Sequence, residues 1–297
     1  MSRRVEQKTR ARARVAAELA AQARAERRRR VLVAVGAVVV VVVVIGGLVA
    51  IRVAGGGKET ATGASGTADS AIMTALTSIP ATTFDQVGSD VQAKPSPIDA
   101  PALTAGGKPK VLYIGAEYCP YCAAERWPVT VALSRFGSFS NLGTTHSAGE
   151  DVFPNTATLS FHGASYSSQY LAFTGVETTT NERSGNGYAP LDTPSADDDQ
   201  VFQTYNKPPY VKDGGAIPFV DLGNKFVSSG ATYSPELLAG KTQQQIADAL
   251  KDPGSPIAKA VDASANVYTA ALCKLTGNQP GAVCSSPAVT AAALGKS

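Results

Sequence analysis

Val111-Leu-Tyr-Ile-Gly-Ala-Glu-Tyr-Cys-Pro-Tyr-Cys122 decides how this chain is read. It opens as an apolar run, Val111 to Ile114, of the kind a buried strand presents, then turns through a short polar step into two cysteines three positions apart. Thiols at that spacing share one turn at a helix start. There the free backbone N–H groups and the positive end of the helix dipole favour a thiolate over a thiol. A zinc site would want a second ligand pair at similar spacing. The remaining cysteines, Cys273 and Cys284, are eleven positions apart, and the only histidines are His146 and His162. Cys119 and Cys122 therefore read as a redox pair, and neither a metal nor a cofactor is expected.

Outward to the N-terminus, the charge pattern sets the compartment. Residues 1–30 carry eleven Lys/Arg against three Glu, and Val31 to Ile51 follows without a charge. As a helix that stretch is about 31 Å long, close to the hydrocarbon core of a bilayer. A cleavable signal peptide would have a shorter apolar region behind a shorter basic one, so residues 31–53 are expected to be an uncleaved transmembrane helix. The basic end stays inside, which puts the rest of the chain outside the cytoplasm in a single-pass plasma-membrane protein. Beyond Arg52 the balance reverses to fifteen Lys/Arg against twenty-one Asp/Glu. Topology and anionic headgroups explain the basic arm, so no nucleic acid is expected as partner. Residues 54–70 are a Gly/Ser/Thr tract and read as a flexible linker; residues 71–297 form the extracytoplasmic domain.

Outward to the C-terminus, a helical pattern runs from Cys122 to about Phe136, with Pro128 inside it. Phe139–Thr145, Ala157–Phe161 and Gln169–Glu177 have strand composition, whereas Glu177 to Gln200 reads as polar loop ending in Asp197–Asp199, a solvated helix start. Two short apolar runs flank Asp221-Leu-Gly-Asn224, a hairpin signal placed just after Ile217-Pro218. Ser234-Pro235 and Ser255-Pro256 open helices, and the second runs towards Cys273. Cys273 and Cys284 would close a twelve-residue loop, read as a structural disulfide holding the helical tail in preference to a second redox pair acting as a relay.

Two anchors in this layout resemble the thioredoxin superfamily: Ile114-Gly-Ala-Glu-Tyr-Cys-Pro-Tyr-Cys122, and Ile217-Pro218 opening a hairpin strand followed by Gly230. More narrowly, the chain is similar to membrane-anchored thioredoxin-like proteins grouped as domain-of-unknown-function family 929, over most of residues 71–297 and including the Cys273–Cys284 tail. The resemblance implies an α/β thioredoxin-like fold, with an enlarged insertion at 139–212 between the Cys-x-x-Cys helix and the hairpin. It also implies a cis Ile217–Pro218 bond beside the thiols, although an X-Pro bond taken alone is trans by default. Pro120-Tyr121 is similar to the intervening pair of glutaredoxins. One departure bears on mechanism: thioredoxins keep a buried Asp six residues before the first cysteine, and here Tyr113 holds that position. Glu117 is the candidate to take its place as base, set against an ordinary solvated turn residue.

The expected activity is thiol–disulfide exchange on exported cysteine-containing proteins, served by a membrane or extracytoplasmic redox partner. Cys119, ahead of the helix, is expected to have an exposed, dipole-stabilised sulfur and to act as nucleophile; Cys122, one turn inside, resolves the mixed disulfide. Pro120, Tyr121, Glu117, Ile217 and Pro218 are its expected neighbours. The alternative is a non-catalytic binding module displayed at the cell surface, for which the missing Asp speaks.

Overall fold

The computed structural model describes residues 66–67, 70–292 and 294. The basic segment 1–30, the expected span 31–53 and most of the linker 54–70 lie outside the described residues. Among the described residues no helix is long and apolar enough to cross a membrane.

The described chain begins with a two-residue strand, β1 (Gly66–Thr67), helices α1 (Ser70–Thr77) and α2 (Ala81–Val87), and short strands β2 (Ser96–Pro97) and β3 (Thr104–Ala105). Strand β4 (Lys108–Gly115) leads into helix α3 (Pro120–Ser134), which continues through Pro128. Seven strands follow: β5 (Ser138–Ser140), β6 (Gly143–His146), β7 (Ala157–Ser160), β8 (Ser165–Ser167), β9 (Ala172–Glu177), β10 (Thr179–Ser184) and β11 (Gly187–Pro190). Helix α4 (Ala196–Tyr205) starts behind Ser195, whose hydroxyl accepts from the Asp198 N–H. Strands β12 (Phe219–Leu222) and β13 (Phe226–Ser229) form the hairpin, and α5 (Gln243–Ala249), α6 (Pro256–Leu275), α7 (Gly281–Cys284) and α8 (Pro287–Ala291) complete the chain.

One mixed sheet organises these elements. β9 runs parallel to β4, from Lys110 opposite Ala172 to Gly115 opposite Glu177. On the other side β12 is antiparallel to β4, with Phe219 opposite Ile114, and β13 and β2 extend the sheet to give the order β9-β4-β12-β13-β2. The parallel pair needs a crossover, and α3 with the following strands supplies it. The β12–β13 hairpin turns at Gly223 and Asn224, both with positive φ, and Asp221 Oδ1 accepts the Asn224 N–H at 2.7 Å.

Alternation along the central strands divides the core. Val111 and Tyr113 of β4, with Val220 and Leu222 of β12, point to the face covered by α3 and α6. Leu112, Ile114 and Phe219 point to the opposite face, against Val201 and Val211. The result is a helix–sheet–helix layering in which β4 is buried on both faces, the usual setting for an unbroken apolar strand. Trp127, Leu133 and Tyr268 fill the space between α3, α6 and the sheet.

Three expectations from sequence are corrected. The segment after Glu177 is not loop throughout: β10 and β11 form a hairpin with Ser184 opposite Gly187. Its residues are mostly polar and half-exposed, so no apolar alternation marked it. Phe139–Thr145 is two strands rather than one, divided at Asn141, which has φ 55. Gly66–Thr67, assigned to the linker, pairs with β6.

Cys273, in the last turn of α6, is bonded to Cys284 at the end of α7, with Cα atoms 5.6 Å apart. The loop it closes has twelve residues. Closing it removes conformational freedom from the unfolded chain, worth about 3 kcal/mol. Replacing both cysteines by alanine is expected to lower unfolding stability by that amount in denaturant titration. An unchanged midpoint would show that the bond carries no stability.

Candidate functional site

The site grows from the end of β4. Gly115 ends the strand, and a Cβ there would collide with the Tyr113 ring, so only glycine lets the chain turn at this point. Four residues later Cys119 is the N-cap of α3, with extended backbone (φ −78, ψ 121). Pro120 takes the first helical position, where no N–H is needed. Cys122 N–H donates to Cys119 Sγ at 3.4 Å, and Ala123 N–H to the Cys119 carbonyl at 3.0 Å. The nucleophile candidate thus occupies the place where a helix start presents unsatisfied donors.

The second segment arrives from the hairpin. The Ile217–Pro218 bond is cis, and Cys119 Sγ donates to the Ile217 carbonyl at 3.9 Å. Pairing of Phe219 with Ile114 brings Pro218 level with the end of β4, and Gly230 N–H closes on the Pro218 carbonyl at 2.8 Å. Residues 98 positions apart in sequence are thereby joined at one sulfur.

The two thiols differ. The bond from Cys122 lowers the Cys119 thiol from 9.0 to about 7; burial opposes this, while the Cys122 N–H and the Arg126 charge add to it. Burial, then the bond to Cys119 and its charge, pushes the Cys122 thiol well up. One thiol is prone to ionise and its neighbour holds its proton.

The expected exposure of Cys119 is not found: the residue is 6 % exposed and Cys122 is fully buried. Neighbouring segments cover the turn. Ala148 N–H donates to the Tyr118 carbonyl at 2.8 Å, Tyr118 stacks on Tyr188 of β11 with ring centroids 4.2 Å apart, and Glu117 N–H donates to the Thr179 carbonyl at 2.9 Å. Tyr121 remains 43 % exposed, edge-on to Phe153.

Glu117 is buried as well, not a solvated turn residue. Its carboxylate accepts from the Ser160 hydroxyl at 2.6 Å and from Thr145 at 3.4 Å. Asp198, expected in a solvated helix start, is buried in an ion pair with Lys110. His162 lies 2.6 Å from Asp192, and His146 ends β6.

Two residues of the site were not anticipated. Arg126, four positions after Cys122 on α3, and Glu177, at the end of β9, are both fully buried. Arg126 Nε and Nη2 donate to the two Glu177 oxygens at 2.7 and 2.6 Å, and Nη2 also reaches the Ala116 carbonyl at 2.8 Å. Burial works against both charges; it leaves the Glu177 carboxyl raised, while Glu177 and Tyr113 hold the guanidinium protonated. The available signal was an arginine on the Cys122 face of a mostly apolar helix.

Residues 94–189 match the model of a family described as Domain of unknown function (DUF929). The match takes in β4, Cys119, Cys122, Arg126 and Glu177, and stops before Pro218. No curated protein and no solved structure matches the chain. The resemblance to this family thus stands over the segment that holds the Cys-x-x-Cys site.

Proposed function

We propose that the chain is a membrane-tethered, extracytoplasmic thiol–disulfide oxidoreductase with a thioredoxin-like fold, acting on exported cysteine-containing proteins. The observation that carries this is the Cys119 sulfur: N-cap of α3, hydrogen-bonded by Cys122, and in contact with the carbonyl ahead of a cis proline. The strand order β9-β4-β12-β13, with β9 parallel and β12 antiparallel to β4 and helices on both faces, supports the fold assignment. The charge asymmetry around residues 31–53 supports the tether.

In the direction of substrate reduction, the Cys119 thiolate attacks one sulfur of a substrate disulfide and expels the other as thiolate. Cys122 then loses its proton and attacks Cys119 Sγ, so that the first substrate sulfur leaves as thiolate and takes up that proton. Cys119 and Cys122 end as a disulfide, two electrons having passed to substrate; substrate oxidation is the reverse. An extracytoplasmic or membrane partner resets the pair. Cys273–Cys284 is a structural disulfide in this scheme. The alternative, a non-catalytic surface binding module, is favoured by one observation, the low exposure of Cys119.

Cys119→Ser is expected to abolish insulin reduction and oxidative refolding by the full chain in detergent. Cys122→Ser is expected to accumulate mixed disulfides with exported proteins, read on non-reducing gels. A wild-type chain inactive towards every thiol substrate, with nothing captured by Cys122→Ser, would leave the binding module.

The pH dependence follows from the lowered Cys119 thiol. Its thiolate is half-formed near pH 7 and falls tenfold per unit well below that. Exchange and iodoacetamide alkylation at Cys119 are therefore expected to rise through pH 6–8 and level off above. A rise centred near 9 would mark an unperturbed thiol.

A further inference from the structure

We infer that Arg126 and Glu177 are a buried positioning pair for the redox thiols: Arg126 places a fixed positive charge behind Cys119 and Cys122, and Glu177 orients that charge and limits its strength. The role in turnover rests on the oxidoreductase reading; the electrostatic effect on the thiols does not.

The geometry points to this in three ways. Cys119, Cys122 and Arg126 stand at i, i+3 and i+7, which is one face of a helix. The guanidinium is tied on one side to Glu177, carried by β9 level with Gly115, and on another to Ala116 in the turn that delivers Cys119. Its third nitrogen, Nη1, is buried with no hydrogen-bond partner among the described residues. A fully desolvated ion pair is costly and adds little to stability compared with apolar packing, so its place behind two thiols calls for an explanation other than folding.

The surrounding groups leave Arg126 in that role. Tyr113 faces the thiols from β4, with the guanidinium 5.9 Å from its ring and its own hydroxyl buried without a partner among the described residues. Tyr118 and Glu117 come from the turn, Glu177 from β9 and the Ile217 carbonyl from the hairpin segment. Arg126 is the cation that acts on both thiols. Neither carboxylate is poised as a base. Both Glu177 oxygens are taken up by Arg126, and those of Glu117 by Ser160 and Thr145.

During exchange, bonding of Cys119 to a substrate sulfur removes its negative charge, one of the causes that hold the proton on Cys122. Cys122 then ionises with the Arg126 charge still in place, attacks Cys119 Sγ and releases the substrate thiolate, which takes the proton. The same cation serves first one sulfur and then the other.

The test is the pH dependence of iodoacetamide alkylation of reduced full-length protein in detergent, with Cys119 followed by peptide mass mapping. Arg126→Met combined with Glu177→Gln removes both charges and leaves no orphan carboxylate. Its Cys119 midpoint is expected to move up from about 7, and a rise of about half a unit would cut alkylation at pH 7 roughly twofold. Arg126→Lys, which keeps the charge, is expected to hold the midpoint near the wild-type value. Glu177→Gln alone leaves the cation uncompensated and is expected to move the midpoint down. A folded double variant whose Cys119 midpoint stays in place overturns the inference. If the double variant does not fold, Glu177→Gln decides: a downward shift supports the pair and an unmoved midpoint overturns it. A wild-type chain with the lowered midpoint but no exchange with any substrate would end the oxidoreductase reading, while these variants would still decide the pair.

Discussion

Burial of β4 on both faces and pairing along both edges is the constraint from which the rest follows. Its backbone is satisfied by β9 over Lys110–Gly115 and by β12 over Val111–Ile114, and its side chains fill two separate core layers. Such a strand has no freedom of register, because a one-residue slip would exchange the two layers and carry Tyr113 into the place of Leu112. Its end is thus a fixed point. The turn at Gly115 starts there, α3 starts five residues after Gly115, and the hairpin partner brings Pro218 to the same level. The meeting of Cys119 with Ile217 is a product of sheet register and needs no contact between the two loops to organise it.

Helix α3 pays for its central position by burying polar groups; Glu125 and Arg126 are met by partners from other elements, while the Thr130 and Ser134 hydroxyls have none among the described residues. Glu125 accepts from Tyr268 of α6 and from both the N–H and the hydroxyl of Thr232. Arg126 is held by Glu177, and Arg135, at the C-cap, donates to Asn266 and Thr269 while lying over the Phe84 ring. These bonds tie α3 to the sheet, to α6 and to α2, so that the rotation of the helix about its axis is fixed by hydrogen-bond geometry as well as by packing. Asp262, on α6, has no such partner. Both its oxygens lack partners among the described residues, and burial lifts its carboxyl to about 8. It is stable there as the neutral acid.

Much of this was legible in the sequence where the signal is local. The apolar run into Cys-x-x-Cys, the Asp-Leu-Gly-Asn turn and the Ser-Pro helix starts each carry their own chemistry within a few residues. What failed was non-local or amphipathic in the wrong sense. Arg126 finds its counter-ion 51 positions away, through a parallel pairing that no local pattern announces. The β10–β11 hairpin presents polar residues on its outer side and leans its aromatic contact, Tyr188, on a turn seventy residues earlier. Cys119 was expected to be exposed because helix N-termini usually are; the segments that cover it belong to residues 139–212, whose packing side a single sequence does not reveal. Glu117, left open between a base and a solvated turn residue, is buried by the same segments.

Residues 139–212 and the charge pair adjoin the same turn. Backbone donors at Glu117, Ala148 and Thr178 connect the turn 115–118 to the strands that follow α3, and Tyr118–Tyr188 stacking closes the outer side. Water is thereby excluded from the polar backbone of the turn without leaving it unsatisfied. In so enclosed a place a charge interacts far more strongly over a few ångströms than it would at the surface. A buried cation is then both more costly to hold and more effective on its neighbours, and Glu177 is the group that makes holding it possible. The covered turn and the ion pair meet at Ala116, whose carbonyl accepts from Arg126 Nη2, while the N–H of the next residue, Glu117, donates to the Thr179 carbonyl.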